Sequence, residues 1–261
     1  MGLFSFRNWR RKQYSRRDWP NEWNTVLEHH FPVYQQITAD FRKHWEEIIQ
    51  VLHQEKRFEG CGGFEIDDTV RLTILSQAAL LLLGNRSDYY YDVRSILVYP
   101  DIYTAPVQRR EHDSFIVTEG FESRQGEAWS FGNIVLAWDS VIQQTSSFGN
   151  GINVTIHEFS HHLDQLYGVS DRIDAPVSDQ ESDPEWIHKL RKSYLDFVEI
   201  VERSHSPFMD PYGAHNPAEF FAVASENFIE KPRALNKHDS SLFDALKTFY
   251  EFDPRPLRTQ N

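Results

Sequence analysis

The segment Thr155–Asp164, with the sequence TIHEFSHHLD, contains the residues of this chain that are best suited to metal chemistry. His157 and His161 are four positions apart, so on a helix they lie on the same face, one turn from each other. Two neutral imidazoles placed in this way can bind one tetrahedral Zn²⁺. Glu158 lies one step round the helix, where it can reach a water on the metal without being a ligand. This H-E-x-x-H pattern is typical of a metallopeptidase.

The other polar residues of this segment have less defined roles. His162 leaves the metal face of the helix, and we expect it in solvent or behind a ligand. Asp164 either orients one of the two ligating histidines through a ring N–H or lies on the helix surface. A surface helix with unrelated histidines is the alternative interpretation, and the apolar lead-in and the helix stop at Gly168 argue against it.

The third ligand of a catalytic zinc must come from elsewhere in the chain. Such a site usually has three protein ligands and leaves one position for water. The metzincin pattern would place a histidine at position 167, where this chain has Tyr167, and Asp164 replaces the glycine of that pattern. That subclass is excluded, and the simplest remaining ligand is a carboxylate on a later helix.

The segment 211–232, PYGAHNPAEFFAVASENFIEKP, offers two carboxylates seven positions apart, Glu219 and Glu226. The helical periodicity of this segment does not decide between two roles for Glu219. It is a ligand, or it is the capping-box residue of a helix that begins with Asn216 as N-cap and Pro217 at the first position. Glu226 is a reserve ligand, or an acceptor for a zinc-bound histidine.

Hydrophobic periodicity predicts the elements that must position these residues. The helix predicted over 68–84 should have Asp67 or Asp68 as its N-cap and should end at Gly84. A loop rich in Asp, Ser, Gly and Pro should follow Gly168, and it could gate the site. The strand predicted over 133–138 either pairs with an extended peptide substrate at the edge of the sheet or is an ordinary strand within the sheet. Helices are expected over 38–56, 68–84, 152–167, 184–203, 217–230 and 240–250, and strands over 95–100, 114–120 and 133–138.

Strands in the middle of the chain with helices on either side predict an α+β fold with a small central sheet and helices on both sides. We expect residues 1–20 to be a basic, mobile tail and 21–261 to be one domain. Within that domain, a helical part would cover about 21–90 and a catalytic part about 91–255. The tail could instead be an arm that contacts an acidic membrane or an acidic partner.

Composition narrows the class of protein. The net charge of −12 over 261 residues argues against direct nucleic-acid binding. Cys61 is the only cysteine, which excludes an intramolecular disulfide and fits a reducing cytosol. The longest apolar run, 70–84, is too short for a transmembrane segment. We therefore expect a cytoplasmic protein.

Several segments resemble the Mlc titration factor A family of zinc peptidases, whose catalytic core is similar to the protease domain of anthrax lethal factor. The resemblance extends over about residues 38–255. It implies a zincin-like core that binds one Zn²⁺ per chain through His157, His161 and Glu219, and it gives Tyr212 a part in catalysis. It is carried by HEFSH, YGAHNPAEFFAVASE, FEGCGGFEIDDTVRLTILSQAALLLLG, ILVYP, IVLAWDSV and FYEFDP, in the expected order.

The resemblance also implies a function, aminopeptidase-type hydrolysis of a peptide substrate. Glu158 would act first as the base and then as the acid, and the Tyr212 phenol would donate a hydrogen bond to the oxyanion. Tyr212 could otherwise be an aromatic residue in a Pro-Gly turn. Because the family is named for taking a transcriptional repressor away from DNA, the alternative is a regulatory binding protein in which the peptidase site is secondary.

Overall fold

The computed structural model describes residues 3–84, 88–101, 132–176, 182–203 and 206–258. Within these ranges the chain is a mixed α+β protein with a small sheet, as predicted. The expected strand at 114–120 lies outside the described residues. The described α-helices are α1 (Leu3–Tyr14), α2 (Asn21–His30), α3 (Ala39–Glu55), α4 (Asp68–Leu80), α5 (Trp138–Ser146), α6 (Val154–Tyr167), α7 (Val169–Ile173), α8 (Glu185–Glu202), α9 (Pro217–Glu230), α10 (Pro232–His238) and α11 (Ser240–Tyr250).

Three parallel strands form the described sheet, in the order β1 (Arg57–Gly60), β2 (Ser95–Tyr99) and β3 (Asn133–Ala137). In β2 and β3 every second side chain is buried, as expected for strands with one face on the core. The buried residues of this face are Ile96, Val98, Ile134 and Leu136. Because α6 packs against β3, the sheet supports the helix that carries the H-E-x-x-H pattern.

The predicted helix and strand limits agree with the structure except in three places. The helix that begins after its N-cap Asp67 ends at Leu80, before Gly84. A side chain at Gly84 would place its Cβ 2.0 Å from the carbonyl oxygen of Tyr250, so this glycine permits a close backbone approach. Trp138 begins α5 and does not continue the strand. The expected loop after Gly168 starts with a short helix, α7.

The basic segment at the start of the chain, which the sequence predicts as a tail, contains helix α1. Arg11 of α1 is only 5% exposed. Its Nε and Nη2 donate to Glu55 of α3 at 2.9 and 2.8 Å, and Nη2 also donates to the carbonyl oxygen of Asp88 at 3.0 Å. These bonds attach α1 to the rest of the molecule. The division of the chain into a tail and a domain stays a prediction.

One hydrophobic cluster extends through the described chain, from Trp23 in α2 to Leu257. It includes Trp45 of α3 and Leu75 of α4 as well as Phe159 of α6 and Phe228 of α9. The helical part and the catalytic part therefore share one core. None of the described helices combines the length and the apolar composition needed to cross a membrane.

Candidate metal centre

Both ends of α6 are set by local sequence. The Asn153 side chain accepts a hydrogen bond from the backbone N–H of Ile156 at 3.0 Å and so caps the first turn. Gly168 ends the helix in a left-handed conformation, with φ of 61°, and its N–H donates to the Asp164 carbonyl at 2.7 Å. His157 and His161 thus occupy successive turns of one well-defined helix.

The start of α9 uses Glu219 in two ways. Its backbone N–H donates to the Asn216 side chain at 3.0 Å, which is the cap that the sequence predicts. Its carboxylate turns toward α6, against which α9 packs. Asn216 is therefore the N-cap, whereas the Glu219 carboxylate lies at the histidines and not at the Asn216 N–H that a capping box would use.

The structure brings the three predicted metal ligands together. Glu219 Oε2 lies 3.0 Å from His157 Nε2 and 3.2 Å from His161 Nε2. The two Nε2 atoms are 3.1 Å apart. Three donor atoms thus form a nearly equilateral triangle between α6 and α9, recognisable as a group that could hold a metal ion.

The size and chemistry of this triangle fit a tetrahedral cation. Ligand atoms about 2.0–2.1 Å from zinc are about 3.3 Å apart at tetrahedral angles, close to the observed separations. The ligand set, two imidazoles and one carboxylate, is one that catalytic zinc sites use.

Glu226 contacts the opposite side of the His157 ring. Its Oε1 lies 2.8 Å from His157 Nδ1, and its Oε2 accepts from the backbone N–H of Asn153. A proton on Nδ1 is therefore directed to Glu226, which leaves the lone pair of Nε2 directed at the metal position. Of the two roles predicted for Glu226, the structure favours the acceptor over the reserve ligand.

The electrostatics of the centre favour positive charge. Burial alone would lower the pKa of His157, but hydrogen bonds to Glu219 and Glu226 raise that pKa well above its usual value. Burial works against the ionised form of Glu219 too, yet its bonds to His157 and His161 bring the pKa of that carboxyl well below normal. Burial lowers the pKa of His161, which keeps this imidazole neutral and able to bind a metal.

Glu158 and Tyr212 both lie near His157. Glu158 is buried next to His157 on α6, and its charge contributes to the raised pKa of that histidine. Tyr212 lies in a 3₁₀ turn, Pro211–Ala214, where its backbone N–H donates to Asp210 at 2.9 Å. The centroid of the Tyr212 ring is 6.1 Å from that of His157, so the turn places this ring beside one of the predicted ligands.

His162 and Asp164 are both buried. His162 is buried and lies neither in solvent nor behind a ligand; its Nε2 is 2.7 Å from Asp92 Oδ1. It leaves the metal face because it is one residue further round the helix. Asp164 is buried too, so the surface interpretation is wrong, and it accepts from the N–H of Ser170 in α7 at 2.6 Å.

Sequence reasoning missed the support behind the centre. Glu230 accepts from the N–H groups of Gly149 and Gly151 at 2.9 and 2.8 Å and from the Asn153 side chain at 3.0 Å. Asn153 also donates to Gln77 of α4 at 2.7 Å. The available signal was the position of Glu226 and Glu230 on one face of an otherwise apolar helix, where acids are rarely buried without partners.

An H-E-x-x-H helix joined by a glutamate from a later helix, in an α+β protein with a small sheet, defines the class of a metallopeptidase. The family model of the glucose-regulated metallo-peptidase M90 matches residues 6–251, and the chain belongs to that family. It is 34% identical to the protein slr2042 of Synechocystis sp. over 249 residues, 95% of this chain and 90% of that one. It is 28% identical to Mlc titration factor A of Salmonella schwarzengrund over 243 residues, 91% of this chain and 87% of the relative.

Proposed function

We propose that this chain is a zinc-dependent aminopeptidase that acts in the cytoplasm, with one zinc ion held by His157, His161 and Glu219. The observation that carries the proposal is the convergence of three donor atoms from two helices within 3.2 Å of one another. Membership of a metallopeptidase family supports a peptide as the substrate. The single cysteine supports a reducing compartment.

Glu158 carries both proton transfers of the proposed reaction. A zinc ion supplies the Lewis acidity that activates water and polarises a carbonyl group. Glu158 accepts the proton from the attacking water and then donates it to the nitrogen of the leaving amine, acting as base and acid in turn. Its burial limits the freedom of the carboxylate, and a positioned base transfers a proton more readily than a mobile one.

Tyr212 stabilises the charge that develops on the former carbonyl oxygen. Its neutral phenol donates a hydrogen bond to that oxygen, and a donor directed at the developing charge lowers the barrier selectively. The packing of Tyr212 against His215, with ring centroids 4.7 Å apart, limits the positions that the hydroxyl can reach.

Replacement of Glu158 by Gln tests the proposal. The Glu158→Gln protein should retain one zinc per chain and lose the hydrolysis of a peptide library that the unchanged protein performs. Glu202→Gln, at an exposed position of α8, is the matched control and should keep both properties. Retained turnover in Glu158→Gln would refute the role of this residue as the base.

A regulatory role is the second candidate, and the name of the Salmonella relatives favours it. In that case the chain would bind a transcriptional regulator and the peptidase site would be secondary. The same Glu158→Gln variant separates the two functions in cells that lack the natural gene. Full complementation by the inactive protein would favour binding, and loss of complementation would favour peptidase activity.

A further inference from the structure

Helix α1 reverses the usual pattern of burial, because its aromatic side chains are exposed and one of its arginines is buried. Phe6 and Trp9 are 61% and 57% exposed, whereas Arg11 is 5% exposed. At 100° per residue, Arg11 lies about 170° from the midpoint between the two aromatic side chains. The arginine side of the helix therefore attaches α1 to the protein, and the aromatic side projects into solvent.

Basic residues border the exposed aromatic pair. Arg10 and Lys12 lie about 70° and 90° from the midpoint of that pair, on opposite sides of the helix. Both are exposed, and Arg16 and Arg17 follow directly after the helix. Residues 1–20 carry six Lys or Arg and one Asp, a formal charge of +5, while the remaining chain carries −17.

A cleft of about 440 Å³ lies beside this helix. It is lined by Arg7 and Arg10 from α1, by Lys56 and by the aromatic rings of Phe6 and Tyr91. Glu55 also lines the cleft, but its carboxylate already accepts from Arg11. Lys56 is buried, and its ammonium group donates to the carbonyl oxygen of Tyr90. The cleft thus presents the guanidinium groups of Arg7 and Arg10 next to aromatic surface, a combination that suits a phospholipid headgroup and its first methylenes.

We propose that α1 attaches this protein reversibly to the surface of a membrane that contains anionic phospholipids. Phe6 and Trp9 enter the region between headgroups and acyl chains, and the bordering cations bind phosphate oxygens. A membrane fits better than an acidic protein because exposed aromatic side chains bordered by cations on one helix are the pattern of a helix that lies in a membrane interface. The net negative charge of residues 21–261 is repelled by the same surface, which favours an orientation with α1 toward the membrane.

Vesicle co-sedimentation of the full-length, zinc-loaded protein tests the proposal. The protein should partition onto vesicles of equal parts phosphatidylcholine and phosphatidylglycerol, and not onto vesicles of phosphatidylcholine alone. Partitioning should decline as the salt concentration rises, because screening weakens exposed charges.

Two independent variants separate the contributions of apolar insertion and of charge to membrane binding. Phe6→Ser with Trp9→Ser should weaken partitioning about tenfold or more, since it removes the inserted apolar surface. Arg10→Glu with Lys12→Glu should weaken it at least about thirtyfold, since two favourable charges become unfavourable. All four positions are exposed, so the far-ultraviolet circular dichroism and the peptidase activity should not change.

Matched changes elsewhere on the surface provide the controls. Leu195→Ser removes an apolar side chain that is 59% exposed on α8, and Lys43→Glu with Lys237→Glu changes the net charge by the same amount as the α1 variant. These proteins should bind anionic vesicles as the unchanged protein does.

Absence of binding to anionic vesicles, equal binding to both kinds of vesicle, or unchanged binding of both α1 variants would overturn the proposal. A dimer that both α1 variants dissociate, without vesicle binding, would point to a second copy of the chain.

Discussion

Glu219, Glu226 and Glu230 project from the same side of α9, but each carboxylate contacts a different part of the segment 149–161. Glu219 meets the Nε2 atoms of both histidines, Glu226 meets Nδ1 of His157, and Glu230 binds backbone N–H groups before α6. Three residues of one type thus have three tasks, set by their distance along the helix. Of these three glutamates, only Glu219 directs a carboxylate oxygen at the metal position.

Glu226→Gln should weaken zinc binding by about 10- to 100-fold, the usual effect of losing a partner of a zinc-bound histidine. The amide retains one acceptor for His157 but presents its NH₂ group where Oε2 accepts from the Asn153 N–H. Competition with a chromophoric chelator measures the affinity. Glu230→Gln is the control, because Glu230 does not contact a predicted ligand, and an equal loss of affinity in both variants would contradict this role.

Tyr212→Phe should lower kcat by about 10²- to 10³-fold, the usual effect of losing one donor to an oxyanion. The phenylalanine ring preserves the packing against His157 and His215, so the zinc content should stay the same. Steady-state kinetics with a hydrolysed peptide and metal analysis of the same samples provide the measurement. An unchanged kcat would leave Tyr212 as a packing residue of the Pro-Gly turn.

At the scale of elements, the centre depends on how α6 and α9 begin. Both helices start with an asparagine cap, Asn153 and Asn216, but the two caps have different surroundings. Asn216 is exposed and makes its cap hydrogen bond at 3.0 Å. Asn153 is buried and, besides its cap, donates to Gln77 and to Glu230. The start of α6 is therefore connected to α4 and α9 through one side chain.

Asn153→Ala should cost about 3 kcal/mol of unfolding free energy, against about 1 kcal/mol for Asn216→Ala. Each substitution removes a cap, but the first also takes the donor from two buried acceptors, Gln77 Oε1 and Glu230 Oε1. Urea unfolding of both zinc-free variants gives the two values. Similar losses would mean that the buried network contributes little beyond the cap.

For the whole molecule, the large shared core implies that the fold does not depend on the metal. One hydrophobic cluster includes residues of both the helical and the catalytic part. A chain of this size buries enough apolar surface to fold without the metal that a zinc finger requires. The metal is then a stabilising ligand of a folded protein.

Zinc at about 100 times its dissociation constant should stabilise the folded protein by about 2.7 kcal/mol, because the ion binds the folded state. The His157→Ala, His161→Ala double variant lacks two of the three donors and should show no such increase. Thermal unfolding after chelation, with and without added zinc, makes the comparison. The same increase in the double variant would place the binding site elsewhere.

Local patterns in the chain were sufficient to predict several elements and part of the centre. The limits of α9 and α11, the caps Asp67, Asn216 and Gly168, and the common face of His157 and His161 all depend on residues within a few positions of each other. Backbone geometry links such residues directly, so their types and spacing carry the information. Family resemblance chose the ligand role for Glu219, and the structure places its carboxylate beside both histidines.

Contacts between distant parts of the chain depended on the tertiary structure. The bond between Glu226 and His157 joins residues 69 positions apart, and the bond between Arg11 and Glu55 joins residues 44 positions apart. The burial of His162 and Asp164 and the outward direction of Phe6 and Trp9 likewise follow from which element packs against which. Periodicity describes one helix at a time and carries no information on its neighbours, so the partner of a buried acid and the direction of an exposed tryptophan are decided only when the chain has packed.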